Sequence, residues 1–329
     1  MNIRETFESF NKLNVLIIGD VMIDAYMWGN VSRISPEAPV PIVAVNKKEN
    51  RLGGAANVAL NIQAMGANPI LCSVIGDDEG SKLFFQLLKE QKLSSKGILK
   101  SKKRTTTVKT RVIAGNHQML RVDDEIENGI DKKENEALTK QIKKLIVSEK
   151  VDVIIFEDYD KGCISEELIK TSVSFAKQKN IPTVVDPKRK NFMSYSGVTL
   201  FKPNLKELKE GLKIEFNHNE LKELEKVVAD FIKKQNINTA LITLSEKGIY
   251  THNSKTKALI PAHIRSIADV SGAGDTVISV AALCLALNLS PVHIATLANL
   301  AGGLVCEKVG VVPIDKKQLL EEAMKLKLK

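Results

Sequence analysis

Residues 14–19 read Asn-Val-Leu-Ile-Ile-Gly, an apolar run in which neither face of a strand would present a polar group to water. Such a strand must be covered on both sides, which points to a parallel sheet rather than to a half-exposed antiparallel one. Similar runs recur at 69–75, 151–156, 182–186, 198–201 and 239–244. Amphipathic stretches of helical length lie between many of them, at 55–65, 79–91, 132–149, 165–179 and 218–235. Buried strands alternating with helices predict an α/β fold, a mostly parallel central sheet flanked by helices on both faces. No internal repeat, low-complexity tract or linker divides the chain, so residues 1–329 are expected to form a single domain.

Two segments break the rhythm. Residues 31–47 carry Pro36, Pro39 and Pro41 before the short apolar run Ile42 to Val45. Residues 104–123 alternate in strand fashion through Thr105, Thr107, Lys109 and Arg111 and turn at Gly115-Asn116, a hairpin signal. These pieces are expected to pair as a small β lid over one edge of the domain, where it would exclude water from a reaction. The alternative is that they are edge strands of the main sheet.

The formal net charge is +9, from 48 basic and 39 acidic residues. A basic chain attracts nucleotides and sugar phosphates as readily as nucleic acid. Here the lysines alternate with acids or apolar residues on helical stretches such as 138–149 and 221–234, the pattern of solvated faces. No zinc-finger spacing or aromatic-basic RNA motif accompanies them, so no nucleic-acid partner is expected. The longest apolar runs, such as Val277 to Leu287, fall short of the roughly 20 residues that span a bilayer. The N-terminus lacks the layout of a signal peptide, and the protein is read as cytoplasmic with no membrane partner. Cys72, Cys163, Cys284 and Cys306 show neither a paired nor a metal-binding spacing and are expected to be buried, reduced thiols.

The segment that carries chemistry is Asp269-Val-Ser-Gly-Ala-Gly-Asp275, followed by Thr276 and an apolar helical run. Gly272, Ala273 and Gly274 let the backbone approach a ligand closely and aim successive N–H groups into one concavity. A helix starting there adds the positive end of its dipole, which suits an anion. Asp275 has a plain reading as an N-cap or first-turn acid. Beside a phosphate cradle, however, a carboxylate can take the proton from an alcohol as its oxygen attacks a γ-phosphoryl group. P-loop and protein-kinase chemistry is excluded by the lack of GxxxxGK[ST], HRD and DFG strings.

The DVSGAGD string resembles the C-terminal signature of the ribokinase-like (PfkB-type) carbohydrate kinases, and Gly53-Gly54-Ala-Ala-Asn57-Val-Ala59 is similar to their N-terminal signature. The resemblance implies a ribokinase-like fold, ATP and Mg²⁺, and Asp275 as the catalytic base. It also implies that Gly53 and Gly54 open a helix beside the sugar and that Asn57 faces its hydroxyls. Asp20 and Asp24 follow the first strand, where the family places a carboxylate that grips the sugar; the spacing favours Asp24. Asn204-Leu-Lys-Glu207 matches the family's NxxE motif, with Glu207 reaching Mg²⁺ through water, although Asn204 is equally a helix N-cap with Glu207 at N3. Thr243, Ser245 and Gly248 fall in the nucleotide-phosphate and ribose region. Asn299 and Ala301 fall where the last helices flank the adenine, and residues 306–312 would close that pocket. The backbone around Asp269 and Ser271 resembles a monovalent-cation site of relatives.

The resemblance narrows further. Gly19-Asp-Val-Met-Ile-Asp-Ala-Tyr26, the string SRISPEAPVP ending at Pro41, Lys109-Thr-Arg-Val-Ile-Ala114 and Asp158-Tyr-Asp-Lys-Gly162 look like the heptose 7-phosphate kinases of lipopolysaccharide precursor synthesis. Glu157 departs from that pattern, since relatives often carry Ser there. A substrate that already bears a phosphate needs cations, and Lys109, Arg111, Arg121 and the Asp186-Pro-Lys188 corner are the candidates. Lys161 is a weaker one. The resemblance also implies a homodimer formed through the lid. No HxGH motif of a nucleotidyltransferase is present, so that step of the pathway would fall to a separate protein. The rival readings are a kinase of another sugar or sugar phosphate, distinguished by the lid, and a catalytically dead, nucleic-acid-binding or regulatory relative.

Overall fold

The computed structural model describes residues 2–115, 117–217, 220–263 and 266–326. In chain order its elements are α1 (Ile3–Ser9), β1 (Asn14–Gly19), β2 (Val21–Ile34), β3 (Pro41–Gly54), α2 (Ala55–Ala64), β4 (Asn68–Gly76), α3 (Glu79–Glu90) and β5 (Gly97–Ser101). Then come β6 (Val108–Ala114), β7 (His117–Asp124), α4 (Lys132–Ser148), β8 (Val153–Glu157), α5 (Glu166–Gln178), β9 (Thr183–Asp186), β10 (Leu200–Phe201) and α6 (Leu205–Leu212). The chain closes with α7 (Leu221–Gln235), β11 (Thr239–Thr243), β12 (Ile249–Asn253), β13 (Lys257–Ile260), α8 (Ala273–Ala286), α9 (Pro291–Val305) and α10 (Lys316–Lys325).

Nine strands form one sheet in the order β13-β12-β11-β10-β9-β8-β1-β4-β5. From β11 to β5 every pairing is parallel, and only β12 and β13 run against their neighbours. Alternation along the apolar strands splits them between two cores. Val15 and Ile17 pack with α2, α8 and α9 on one face, whereas Leu16 and Ile18 pack with α4, α5 and α7 on the other. The expected sheet, mostly parallel and covered on both faces, is thus present.

The two irregular segments do not extend that sheet. They form a second sheet of four strands, ordered β3-β2-β6-β7, with β6 and β7 as an antiparallel hairpin. It takes in more chain than residues 31–47 and 104–123, because β2 starts at Val21, one residue after β1 ends. No turn chemistry marks that junction, so the sequence hides it. Gly115 of the predicted turn has φ +59, and Asn116 lies outside the described residues, as do the first two positions of the helix expected from 218. Cys72, Cys163 and Cys284 are buried free thiols, while Cys306 is half-buried. Among the described residues no helix is long and apolar enough to cross a membrane.

Candidate active site

The parallel strands β1, β8, β9 and β10 all end on one edge of the large sheet, and the polar residues just beyond them meet the start of α8 there. Register ties the ends together, with Gly19 beside Glu157 and Glu157 beside Asp186. Loops at strand C-termini are where open α/β sheets bind ligands.

Helix α8 begins at Gly272, whose φ of +79 lies in the left-handed region that only glycine adopts at ease. No side chain caps the helix, so its first turn is left to accept an anion. A β-carbon on Gly274 would stand 3.7 Å from Asp186 Oδ2 and 3.8 Å from Lys202 Nζ, which places these two groups opposite the cradle.

Asp275 follows in the same turn, only 6% exposed. Asn57 Nδ2 donates to its Oδ2 at 2.6 Å, and the Tyr159 hydroxyl donates to its Oδ1 at 2.8 Å. Burial pushes the Asp275 carboxyl up to about 6, a rise reinforced by the charge on Asp186 and opposed by the two hydrogen bonds and by Lys202. A carboxylate poised there is ionised at neutral pH yet basic enough to accept a proton. Asn57 is presented by α2, which starts directly after Gly53 and Gly54; Gly54 has φ +58, and a side chain on Gly53 would collide with Asp24 Oδ2.

Around the cradle lies a buried charge cluster. Lys202 Nζ pairs with Asp186 Oδ2 at 2.7 Å, with both side chains nearly inaccessible. Burial alone would lower the Lys202 ammonium, but Asp186, Glu207 and Glu157 together hold it above its ordinary value. Glu157 is 1% exposed, and neither of its carboxylate oxygens has a hydrogen-bond partner, nor does Asp186 Oδ1. Burial and the nearby Asp186 and Asp275 charges drive the Glu157 carboxyl well above the usual range.

Several expected ligands have other work. Asp20 accepts the N–H groups of Tyr159, Lys161 and Cys163 at 2.9, 3.1 and 2.9 Å, so its carboxylate braces the 158–163 loop. Asp24 accepts Arg111 Nη1 at 2.5 Å. Asn204 and Glu207 form the capping box of α6, and the outer oxygen of Glu207 pairs with Lys188. Thr243 bridges Asn204 beside the cluster. Ser245 and Gly248, with φ +53 and +92, build the turn into β12, and any side chain on Gly248 would strike the backbone of β13. Asn299 Nδ2 donates to the Pro261 carbonyl at 2.8 Å. Ala301 is fully buried in the helical core, which removes it from any nucleotide surface. Lys109 is tied to Asp123 and Glu125, Arg121 to Asp123, and Lys161 to Glu125 and Glu127.

Tyr159 and Lys202 are functional candidates that sequence reasoning missed. Lys202 directly follows the two-residue strand β10, so its position beyond a parallel strand was the available signal. Tyr159 stood inside a recognised string with no role attached.

The pfkB family carbohydrate kinase profile matches residues 12–317. The Bifunctional protein HldE of Syntrophotalea carbinolica is 36% identical over 322 residues, which cover 97% of this chain and 65% of that protein. The Bifunctional protein HldE of Campylobacter jejuni is 40% identical over 309 residues, covering 94% of this chain and 64% of that protein. The chain thus spans just under two thirds of the length of these curated relatives. Among solved structures, phosphofructokinase-2 from Escherichia coli in complex with potassium superposes with a TM-score of 0.79 at 16% identity, covering 96% of this chain and 99% of that one. Arabidopsis thaliana ribokinase complexed with ribose and ATP gives 0.72 at 14%, covering 94% and 98%. At these identities the structural likeness is one of fold.

Proposed function

The chain belongs to the PfkB family of carbohydrate kinases, and from that premise we propose that it phosphorylates D-glycero-D-manno-heptose 7-phosphate at the anomeric hydroxyl, turning ATP into ADP and the sugar into its 1,7-bisphosphate. The observation that carries the chemistry is Asp275, a buried carboxylate at the uncapped start of α8, beside the glycine turn. Asp275 takes the proton of the attacking hydroxyl, and Asn57 and Tyr159 hold its two oxygens in place. The Gly272 to Gly274 backbone and the Lys202 ammonium face the transferring phosphoryl group and offset its charge. Asp24 and Asn57 orient the sugar, and the small sheet acts as a lid on this single domain, excluding water. The heptose assignment is supported by the HldE relatives and by cations on the face of the small sheet that carries Asp24.

Mg²⁺ entering with ATP would supply positive charge to offset that of the nucleotide phosphates, held near Glu157 and Asp186. The orphaned oxygens of Glu157 and Asp186 suit such a cation reached through water. A monovalent cation would rest on the loop around Asp269 and Ser271. We also read the protein as a homodimer through the lid. On the face opposite Asp24, exposed apolar side chains lie toward both edges of the small sheet, Val31 and Val45 on β2 and β3 and Leu120 and Val122 on β7, each 40% exposed or more. Product analysis tests the reaction: ³¹P NMR should show a second phosphate on the anomeric carbon of heptose 7-phosphate, and a phosphate on any other oxygen would refute the assignment.

A further inference from the structure

The face of the small sheet that bears Asp24 also walls a separate recess. Register sets Tyr26 and Trp28 of β2 beside Arg111 and Ile113 of β6 and beside Glu49 and Lys47 of β3. Between these side chains and the loops at 269–271 and 309–310 lies a cavity of ≈ 270 Å³, with Trp28, Lys47, Arg51, Arg111 and Ser271 in its wall. It adjoins the catalytic cluster. Ser271 precedes Gly272, whose β-carbon position is 3.2 Å from Asn57 Nδ2, and Arg111 holds Asp24.

The acids around the cavity are already committed. Asp269 accepts the backbone N–H groups of Ser271 and Gly310, both at 2.9 Å. Glu49 takes Lys47 at 2.8 Å and Arg51 Nε at 2.6 Å. Donors remain. Arg51 uses Nε and Nη1, the latter on the Val311 carbonyl, and Arg111 uses Nη1, leaving three guanidinium nitrogens without a hydrogen bond to the described residues. Both guanidiniums lie over the Tyr26 ring, at 5.0 and 5.4 Å from its centroid, which holds them in place. Trp28 Nε1 is buried with no acceptor among the described residues. A buried N–H is costly to leave unmade, and folded proteins retain few of them.

We propose that Trp28, Arg51 and Arg111 form the seat for the phosphate that the sugar substrate already carries. Guanidinium forks match a phosphate's oxygens, and the indole N–H supplies a third donor that has no other partner. Lys109 and Arg121, by contrast, are neutralised by Asp123 and Glu125, and Arg121 is 51% exposed. The proposal rests on the reading of the substrate as a sugar phosphate.

Trp28 is the chain's one tryptophan, so indole emission reports on this cavity alone. Titration with heptose 7-phosphate should change that emission saturably, inorganic phosphate should do so more weakly, and free heptose should not. Trp28→Phe keeps an aromatic ring beside Tyr26 and removes the unpaired donor together with part of the indole, so it should fold with at most a small fall in Tm. Its KM for heptose 7-phosphate should rise about tenfold, as for one lost hydrogen bond to a charged group, and Arg51→Gln should do at least the same. In both variants KM for ATP should stay within about twofold. An unchanged KM in both, with a rise instead in Lys109→Ala or Arg121→Ala, would place the phosphate elsewhere and overturn the proposal while leaving the sugar-phosphate reading intact. Wild-type emission indifferent to saturating heptose 7-phosphate would overturn it too. Equal turnover of free and phosphorylated heptose by the wild type would instead remove the reading beneath it.

Discussion

Asp275 serves two ends that conflict. Its burial raises the carboxyl from 3.8 to about 6, and a rise of that size corresponds to about 3 kcal/mol of lost stability when the group is ionised. Because the folded value lies above the ordinary one, that loss is absent below about pH 3.8 and complete above about pH 6. Asp275→Asn should therefore lower kcat by about 10²-fold or more while raising Tm at pH 7, with ATP affinity little changed. Turnover within about threefold of the parent would take Asp275 out of the base role. The wild-type kcat/KM should fall as pH drops through about 6. Tyr159→Phe removes a bond that favours the ionised carboxyl, so its acid limb should move to higher pH; an unmoved limb would mean that Tyr159 does not act on Asp275. At this scale the sequence singled out Asp275, the buried carboxylate at the start of α8, since DVSGAGD is a compact, specific string. Asp20 and Asp24 it could not separate with certainty, because what distinguishes them is the 158–163 loop, more than a hundred residues away, which only the fold brings to Asp20.

The start of α8 is the element on which transfer depends. The positive φ belongs to Gly272; Gly274 has ordinary helical backbone, and a β-carbon there would meet Asp186 and Lys202 only at ordinary contact distance. Gly274→Val should consequently fold, by circular dichroism and Tm, yet lose transfer, because its methyl groups fill the gap toward Asp186 and Lys202. A folded, fully active variant would mean that the loop is structural and that the phosphates bind elsewhere. The strands with uninterrupted apolar runs, β1, β4, β8, β9 and β11, and the amphipathic helices α2 to α5 were legible from periodicity alone. The first half of β2 and the second half of β3 were not. Val21 to Ile23 continues the apolar character of β1, and Lys47 to Arg51 reads as solvated charge, although Arg51 is inward-facing and paired with Glu49 and the Val311 carbonyl.

For the molecule as a whole, the apolar outer face of the small sheet predicts association. Leu120, 57% exposed, sits on the edge strand β7 opposite Val112, and Leu120→Lys should convert a dimer into a monomer by light scattering. A monomeric wild type at micromolar concentration would refute association through this face. The α/β architecture was readable from the sequence because its cause, burial on both faces of each strand, is written locally. Substrate choice is not local, since it depends on which cations remain unneutralised once the small sheet has formed, and Lys109 and Arg121 show how pairing withdraws a charge that the sequence displays. The central claim is tested most directly by the initial rate of ADP release across heptose 7-phosphate, free heptose, ribose, fructose and fructose 6-phosphate under identical ATP and Mg²⁺. A site built to pair a substrate's phosphate should favour heptose 7-phosphate over the unphosphorylated sugars by up to about 10⁴-fold in kcat/KM; ribose or fructose turned over as efficiently as heptose 7-phosphate would contradict it.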